Sequence, residues 1–214
     1  MDYLYLHGFA SGPQSYKGQS LRRRFQALGL DLAIPDLNQG DFSHLTLSRQ
    51  IAQGVAWLGD RSAVTIIGSS FGGLTAAWLA QHPLTQGRIA RLVLLAPAFG
   101  FLDHWLPRLG SEAVAAWQQS RSLSVFHYGD GVNYALDYGF VTDLQGYDQA
   151  DLTTAIATLI IHGTQDEVIP VAASSAYGIQ RPWVTLLTLD SDHSLGDQEE
   201  IIWQAIAQFL CLTP

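Results

Sequence analysis

The sequence predicts an α/β fold, in which about six mostly parallel strands form one sheet covered by helices on both faces. Short apolar runs alternate with longer amphipathic segments, which is the element order of parallel sheets connected by helices. The short runs are apolar at nearly every position, as strands buried on both faces require. The 214 residues, 48% of them hydrophobic, suit a single domain over residues 1–214 with one core.

The individual elements follow from local patterns. Strands are expected at Tyr3–His7, Leu32–Ile34, Val64–Ser69, Arg91–Ala96, Ala157–His162 and Val184–Asp190. Helices are expected at Lys17–Leu28, Thr46–Leu58, Phe71–Gln81, Val171–Gly178 and Asp197–Leu210. Apolar residues recur every three or four positions in the second helix, and Pro83 ends the third. Asp197, with Glu200 three residues later, predicts a cap at the start of the last helix.

Residues 98–150 break this alternation, because they separate two predicted strands by far more than an ordinary crossover. The segment carries ten aromatic residues, and one helix is expected in it at Ser111–Gln119. Connections this long are usually functional or contain structure of their own. Since ligand pockets are often aromatic, we expect a cap or lid inserted over a pocket. The alternative is a packing excursion that covers one edge of the sheet.

Composition limits the partners and the compartment. The net charge of −8 at pH 7, with Lys17 as the one lysine, argues against nucleic acid and anionic membranes, which need basic patches. Cys211 is the one cysteine, which rules out an intrachain disulfide and fits a reducing compartment. The sequence shows neither a signal-peptide pattern nor an apolar run long enough to span a membrane. We expect a cytoplasmic protein that needs no metal and no cofactor.

The strongest local motif is Gly68-Ser69-Ser70-Phe71-Gly72, which matches Gly-x-Ser-x-Gly between a predicted strand and a predicted helix. A sharp strand-to-helix turn strains the central serine, and glycines two residues before and after it avoid steric clashes. The positive end of the helix dipole also favours negative charge beside the Ser70 hydroxyl. Ser70 is therefore the candidate nucleophile. Ser69 is the competing serine, but it lacks the flanking glycines.

A serine hydroxyl is a weak nucleophile and needs an adjacent base, which an acid orients. In the chain order typical of this turn, the acid and then the histidine follow the nucleophile. His193, between the last strand and the last helix, is the candidate base, and Asp166, in the loop after the preceding strand, is the candidate acid. Glu167 is an adjacent rival for the acid. Asp192 is a weaker one, since a neighbour in sequence seldom reaches the far nitrogen of the ring.

Negative charge on a carbonyl oxygen needs two backbone donors. We expect them to be the N–H of Phe71, which follows the nucleophile, and the N–H of Phe9, in the loop after the first strand. Glycines at 8 and 12 let that loop approach closely, although an ordinary glycine-rich turn has the same composition. His7 is expected to be structural and to bond the loop backbone.

Together these motifs resemble the α/β-hydrolase superfamily in order and spacing: His7-Gly8-Phe9, Gly68-Ser69-Ser70-Phe71-Gly72, His162-Gly163-Thr164-Gln165-Asp166 with Pro170, and Asp192-His193. The compact length and the opening Tyr3–Phe9 resemble the YqiA-like esterases within it. The resemblance implies Ser70 as nucleophile, Asp166 as acid and His193 as base. The superfamily's leading two-stranded hairpin is missing, because the first strand already carries the oxyanion motif, and residues 98–150 stand where a cap is often inserted.

The resemblance implies that the chain hydrolyses carboxylic esters of small or medium acyl chains through an acyl-enzyme, with a small-molecule ester as its partner. A thioesterase, a C–C hydrolase or a cofactor-free perhydrolase would use the same residues. A protein that keeps the fold to bind a ligand without catalysis is the alternative of a different class. The oligomeric state and the physiological substrate do not follow from the sequence.

Overall fold

The secondary structure follows the predicted order of strands and helices. The structure is a computed structural model that describes residues 1–212, so the last two residues of the predicted 1–214 domain lie outside the described residues. The strands are β1 Tyr3–Leu6, β2 Leu32–Ala33, β3 Val64–Ser69, β4 Ile89–Leu95, β5 Ser122–His127, β6 Val132–Asp137, β7 Ala157–Gly163 and β8 Val184–Leu189. The α-helices are α1 Tyr16–Ala27, α2 Leu47–Leu58, α3 Phe71–Gln81, α4 Phe101–Leu109, α5 Ser111–Ser120, α6 Gly139–Leu144, α7 Val171–Gly178 and α8 Glu199–Leu210. Each strand and helix predicted from the sequence is present, which confirms the α/β fold.

Six strands form one sheet in the order β2-β1-β3-β4-β7-β8. All neighbouring strands in it run parallel, so their carboxyl ends meet at one edge of the sheet. Within residues 1–212 this sheet contains no antiparallel leading hairpin, as predicted. The strand order reverses between β1 and β3, and the crevice outside the carboxyl ends at such a switch point is where α/β sheets bind ligands.

The sheet separates two hydrophobic layers. Side chains along β1 alternate between them: Leu4 and Leu6 pack on the face covered by α2 and α3, while Tyr3 and Tyr5 pack on the face covered by α1 and α8. Every residue of β1 and β3 is buried, which accounts for their continuous apolar sequence. Burying one such large apolar side chain contributes on the order of 2 kcal/mol.

The connection between β4 and β7, residues 98–150, is called the cap here and contains structure of its own. The predicted helix is α5, and the cap also holds α4, α6 and an antiparallel β5–β6 hairpin that the sequence analysis did not predict. Trp117 of α5 is fully buried and donates its indole N–H to the Leu136 carbonyl at 2.8 Å, which ties the helix to the hairpin. The Tyr128 N–H donates to the Ala10 carbonyl at 2.8 Å, so the hairpin turn is fastened to the loop after β1.

The predicted cap of the last helix is wrong. α8 begins at Glu199, its N-cap is Gln198, and no side chain makes a capping hydrogen bond there. Asp197 lies one residue too early, and its carboxylate instead accepts a hydrogen bond from the Ser191 hydroxyl. This contact closes the loop between β8 and α8 on itself, so the carboxylate that the capping pattern requires is already used.

Among residues 1–212, the longest helices are too short and too polar to cross a lipid bilayer.

Candidate active site

Ser70 sits on a strained turn between β3 and α3. Its backbone has φ 53° and ψ −119°, a combination that residues other than glycine rarely adopt. Hydrogen bonds from the Ser70 N–H to the Leu95 carbonyl at 2.8 Å and from the Ala98 N–H to the Ser70 carbonyl at 3.0 Å hold it there. A Cβ atom at Gly68 would overlap the Gly72 carbonyl, and one at Gly72 would overlap the carbonyls at the end of β1. Both predicted glycines are therefore sterically required for the turn.

Three side chains from distant parts of the sequence meet at the carboxyl edge of the sheet. The His193 Nε2 atom lies 2.9 Å from the Ser70 Oγ atom, and its Nδ1 atom lies 2.7 Å from the Asp166 Oδ2 atom. The His193 side chain is 21% exposed, whereas that of Asp166 is fully buried. The structure thus brings together the three residues that the sequence analysis selected as nucleophile, base and acid.

The rival residues lie elsewhere. Glu167 is exposed, and the carboxylate of Asp192 accepts hydrogen bonds from the backbone N–H groups of Ser194 and Leu195, which closes a local turn. The Ser194 hydroxyl bond to this carboxylate holds the pKa of Asp192 below its ordinary value. Ser69 is buried as the last residue of β3.

Four N–H groups surround the Asp166 carboxylate, and three of them donate hydrogen bonds to it. Its Oδ1 atom accepts from the backbone N–H groups of Val168 and Ile169, both at 2.8 Å. Its Oδ2 atom contacts His193 and also the Nε2 atom of His162 at 2.9 Å. Burial acts to raise the pKa of Asp166, but its contacts with His162 and His193 outweigh it and hold the pKa well below its usual range. The ionised form of this carboxyl group is therefore favoured.

The sequence analysis missed His162, which lies at the end of β7 and is fully buried. In the sequence, His162 stands only as part of the motif that precedes Asp166. No local pattern marks its contact with Asp166, because the turn that brings the two side chains together depends on tertiary packing. Its other ring nitrogen, Nδ1, lies 2.7 Å from the hydroxyl of Ser174 on α7.

The loop after β1 abuts the Ser70 side chain. A Cβ atom at Gly8 would lie 3.3 Å from the Ser70 Cβ atom, a tight contact, so glycine favours this close approach of the loop. His7 holds the loop as predicted, with its Nε2 atom accepting from the Leu37 N–H at 2.9 Å and its Nδ1 atom 3.0 Å from the Gly8 carbonyl. Burial lowers the pKa of His7, in agreement with this neutral form.

The two N–H groups expected to bind an oxyanion belong to Phe9, which follows Gly8 in the chain, and to Phe71, which follows Ser70. Phe71 is the first residue of α3, where helical N–H groups have no intrahelical acceptor. The Phe9 N–H donates no hydrogen bond to any atom of residues 1–212. Both groups are thus left to bind something other than the protein backbone.

Ser70 and His193 open into a cleft of about 510 Å³. The cap supplies six of its walls: Phe101, Trp105, Arg108, Val125, Phe126 and Tyr128. The walls are mostly aromatic, so the cleft suits an apolar group adjacent to Ser70. Phe101 also borders a second cavity of about 200 Å³, which Leu74 and Leu144 line.

Within residues 1–212, no group of three or more His, Cys, Asp or Glu side chains has the arrangement of a metal site.

The fold is that of the α/β hydrolases, as comparison with solved structures establishes. The ferulic acid complex of Est1E from Butyrivibrio proteoclasticus is 20% identical, with a TM-score of 0.81 over 97% of this chain and 87% of that one. The mouse alpha/beta hydrolase domain-containing protein 10 is 16% identical, with a TM-score of 0.77 over 99% of this chain and 90% of that one.

Residues 2–211 match the model of an uncharacterised protein family, UPF0227, and the chain belongs to that family. The chain is also similar to the phenmedipham hydrolase of Pseudarthrobacter oxydans, with 34% identity over 88 residues. That match covers 41% of this chain and 18% of the hydrolase.

Proposed function

We propose that this chain is a serine hydrolase that cleaves carboxylic esters of small or medium acyl chains through an acyl-enzyme. Ser70 is the nucleophile, His193 the general base and acid, and Asp166 the group that orients His193. The N–H groups of Phe9 and Phe71 form the oxyanion hole. The observation that carries this proposal is the continuous contact from the Ser70 hydroxyl through His193 to a buried carboxylate, at 2.9 and 2.7 Å.

The proposed reaction has two halves. His193 Nε2 takes the proton of the Ser70 hydroxyl as its oxygen attacks the ester carbonyl, and the oxyanion accepts bonds from the two backbone N–H groups. His193 then protonates the leaving alcohol, which breaks the ester bond and leaves the acyl group on Ser70. Water attacks the acyl-enzyme with His193 again as base and releases the acid. Asp166, held ionised by the four N–H groups around it, stabilises the imidazolium in both halves.

The cleft supports an ester whose acyl part is aromatic or short. Aromatic walls pack well against flat apolar groups, and Phe101 is a wall residue of both the cleft and the second cavity. The names of two similar proteins agree with this class, since one structure contains ferulic acid and one relative hydrolyses phenmedipham.

The test is hydrolysis of p-nitrophenyl acetate, butyrate and octanoate by wild type, Ser70→Ala and Ser69→Ala. Losing one member of such a unit typically costs about 10⁴–10⁶ in kcat, so Ser70→Ala is expected to be inactive while its circular dichroism spectrum is unchanged. The matched Ser69→Ala variant keeps its activity. An active Ser70→Ala variant rejects the proposal.

Two alternative functions can be tested with the same proteins. Thioester or C–C substrates turned over faster than every oxygen ester would reassign the reaction to another hydrolase using the same residues. A folded wild-type protein that is inert toward all of these substrates, and that a fluorophosphonate does not label, would be a ligand-binding protein that kept the fold.

A further inference from the structure

We propose that His162 is a positioning residue of the acid–base pair, which fixes the Asp166 carboxylate and shares with His193 the oxygen atom that both rings contact. The inference rests on the proposed function. It goes beyond that proposal because it assigns a role to a buried, titratable side chain that the reaction steps above do not use.

The contacts of His162 fix where its proton lies. The Nε2 atom lies 2.9 Å from Asp166 Oδ2 and 2.9 Å from the Ile169 carbonyl, and both of these atoms are acceptors. Nε2 must therefore carry a proton, which it donates to the Ile169 carbonyl while Asp166 Oδ2 lies in contact with the same N–H group. The Nδ1 atom faces the buried Ser174 hydroxyl at 2.7 Å, and a hydroxyl can donate to a bare ring nitrogen. Ser174 thus selects the neutral ring with its proton on Nε2.

This arrangement immobilises the acid. With two backbone N–H groups on Oδ1 and two imidazoles on Oδ2, Asp166 has no free direction in which to rotate. Four N–H groups also favour the ionised form, so the carboxyl does not take the proton from His193. Because the charge on Oδ2 is divided between two rings, its attraction for protonated His193 is weaker than in a pair without His162.

The charged groups around the pair come from three segments. The Lys17 ammonium of α1 attracts both Asp166 and Asp192, and Asp192 in the loop after β8 attracts protonated His193. His162 contributes from β7 and, as a neutral ring, adds an N–H group and no charge. Replacing His162 with a neutral residue therefore changes one N–H donor beside Asp166 and leaves the surrounding charges as they are.

The simpler role for a buried histidine is structural, since His162 also joins β7 to α7. Replacing His162 with glutamine distinguishes the positioning role from the structural role. The side-chain amide N–H of glutamine reaches the position of Nε2 and can donate to Asp166, whereas it replaces neither the ring's packing nor its contact with Ser174. Leucine keeps the approximate volume and removes both polar contacts.

The experiment compares kcat, KM and the pH profile of kcat/KM for His162→Leu and His162→Gln on p-nitrophenyl butyrate. His162→Leu is expected to lower kcat by about 10- to 100-fold with KM nearly unchanged, since the acid becomes misplaced. Its acid limb is expected to move to higher pH by roughly 0.5–1 unit, because undivided charge on Oδ2 favours protonated His193. His162→Gln is expected to recover most of the kcat and the wild-type acid limb.

The control is Thr85→Val, which deletes the buried hydrogen bonds from the Thr85 hydroxyl to the Leu79 and His82 carbonyls, beyond the carboxyl end of α3. It measures what the loss of any buried hydrogen bond does, and its acid limb should match wild type. A His162→Leu variant with wild-type kcat and acid limb overturns the proposal. So does a His162→Gln variant as impaired as His162→Leu, which indicates packing alone.

A measurement on the unmodified protein covers the case in which His162→Leu does not fold. In a ¹⁵N–¹H correlation spectrum of the histidine rings, recorded at the pH of the assay, His162 should show a protonated Nε2 and a bare Nδ1. A ring protonated on both nitrogens contradicts the neutral donor. An inactive Ser70→Ala variant together with wild-type-like His162 variants rejects this inference and leaves the proposed function standing, whereas an active Ser70→Ala variant rejects both.

Discussion

The sheet and the cap face each other across one cleft, but their side chains are buried in different ways. β1 and β3 are buried at every residue, whereas β5 and β6 are mostly exposed or half-buried. Ser70 directly follows β3 and Asp166 lies in the loop after β7, and backbone hydrogen bonds fix both. The cap packs on the elements beside the sheet through aromatic rings, such as Phe101 against Phe71 of α3 with centroids 5.3 Å apart. We infer that the sheet fixes the reacting atoms and that the cap selects the substrate.

The largest expected effect is on the sheet side of this comparison. Asp166→Asn should lower kcat by about 10⁴-fold, because a neutral amide neither fixes the His193 tautomer nor stabilises the imidazolium. Steady-state kinetics on a p-nitrophenyl ester measure it. The matched Glu167→Gln variant removes a neighbouring exposed carboxylate and should behave as wild type. An Asp166→Asn variant within tenfold of wild type would place the acid elsewhere.

The cap side is tested by Phe101→Ala, which should join the cleft to the second cavity, because Phe101 lines both. The ratio of kcat/KM for dodecanoate to that for butyrate is expected to rise about tenfold, since extra methylenes are worth such factors in an apolar pocket. The variant should also lose about 3–5 kcal/mol of stability, measured by urea unfolding.

Refilling the second cavity provides the control for that variant. Adding Leu144→Phe to Phe101→Ala should restore the preference for butyrate, because Leu144 lines this cavity and not the cleft. Unchanged chain-length profiles in both variants would mean that the cap does not select the acyl group.

A smaller effect concerns the loop that carries His193. The Lys17 ammonium donates to the Ser194 carbonyl at 2.8 Å, and burial lowers the pKa of Lys17 to about 8. A charged donor bonds more strongly than a neutral one, so its hold on the loop weakens as pH rises through about 8. The wild-type advantage in kcat/KM over Lys17→Met should be about threefold at pH 7 and should decline by pH 9.5. Arg23→Gln, an equal charge change on the exposed face of α1, is the control, and an advantage independent of pH would contradict this role.

The smallest expected effect is on stability in acid. The pKa of Asp166 is depressed in the fold, so its contribution is complete above the unfolded-state value of about 3.9 and is lost as pH falls below it. Wild type should therefore lose free energy of unfolding more steeply than Asp166→Asn between pH 5 and pH 3 in urea titrations. Equal slopes would show that the folded carboxyl is not held ionised.

Most of the sheet was predictable because strands buried on both faces leave a continuous apolar signal, as at Val64–Ser69. The nucleophile turn was predictable because steric clashes leave only glycine at 68 and 72. Asp166 and His193 followed from the chain order of the motif. These features depend on local sterics and on strand order, both of which are visible in one sequence.

The cap was less predictable. Its hairpin is half exposed and therefore lacks a strong apolar pattern. The Asp130-Gly131 pair that marks the turn lies in a stretch rich in aromatic residues, which indicated a pocket instead of a hairpin. The Asp197 cap failed because tertiary contact with Ser191 took its carboxylate. His162 was missed for a similar reason, since its partners Asp166 and Ser174 come from a loop and a helix whose packing no local pattern records.

Covalent labelling tests the central claim most directly, because it requires an activated hydroxyl at one position. Treated with a fluorophosphonate, wild type should gain the mass of one adduct per chain, and peptide mapping should locate that adduct on Ser70. Ser69→Ala should label at the wild-type rate, His193→Ala far more slowly, and Ser70→Ala not at all. An adduct on another residue, or a labelling rate that is the same with and without the His193 ring, would contradict the account.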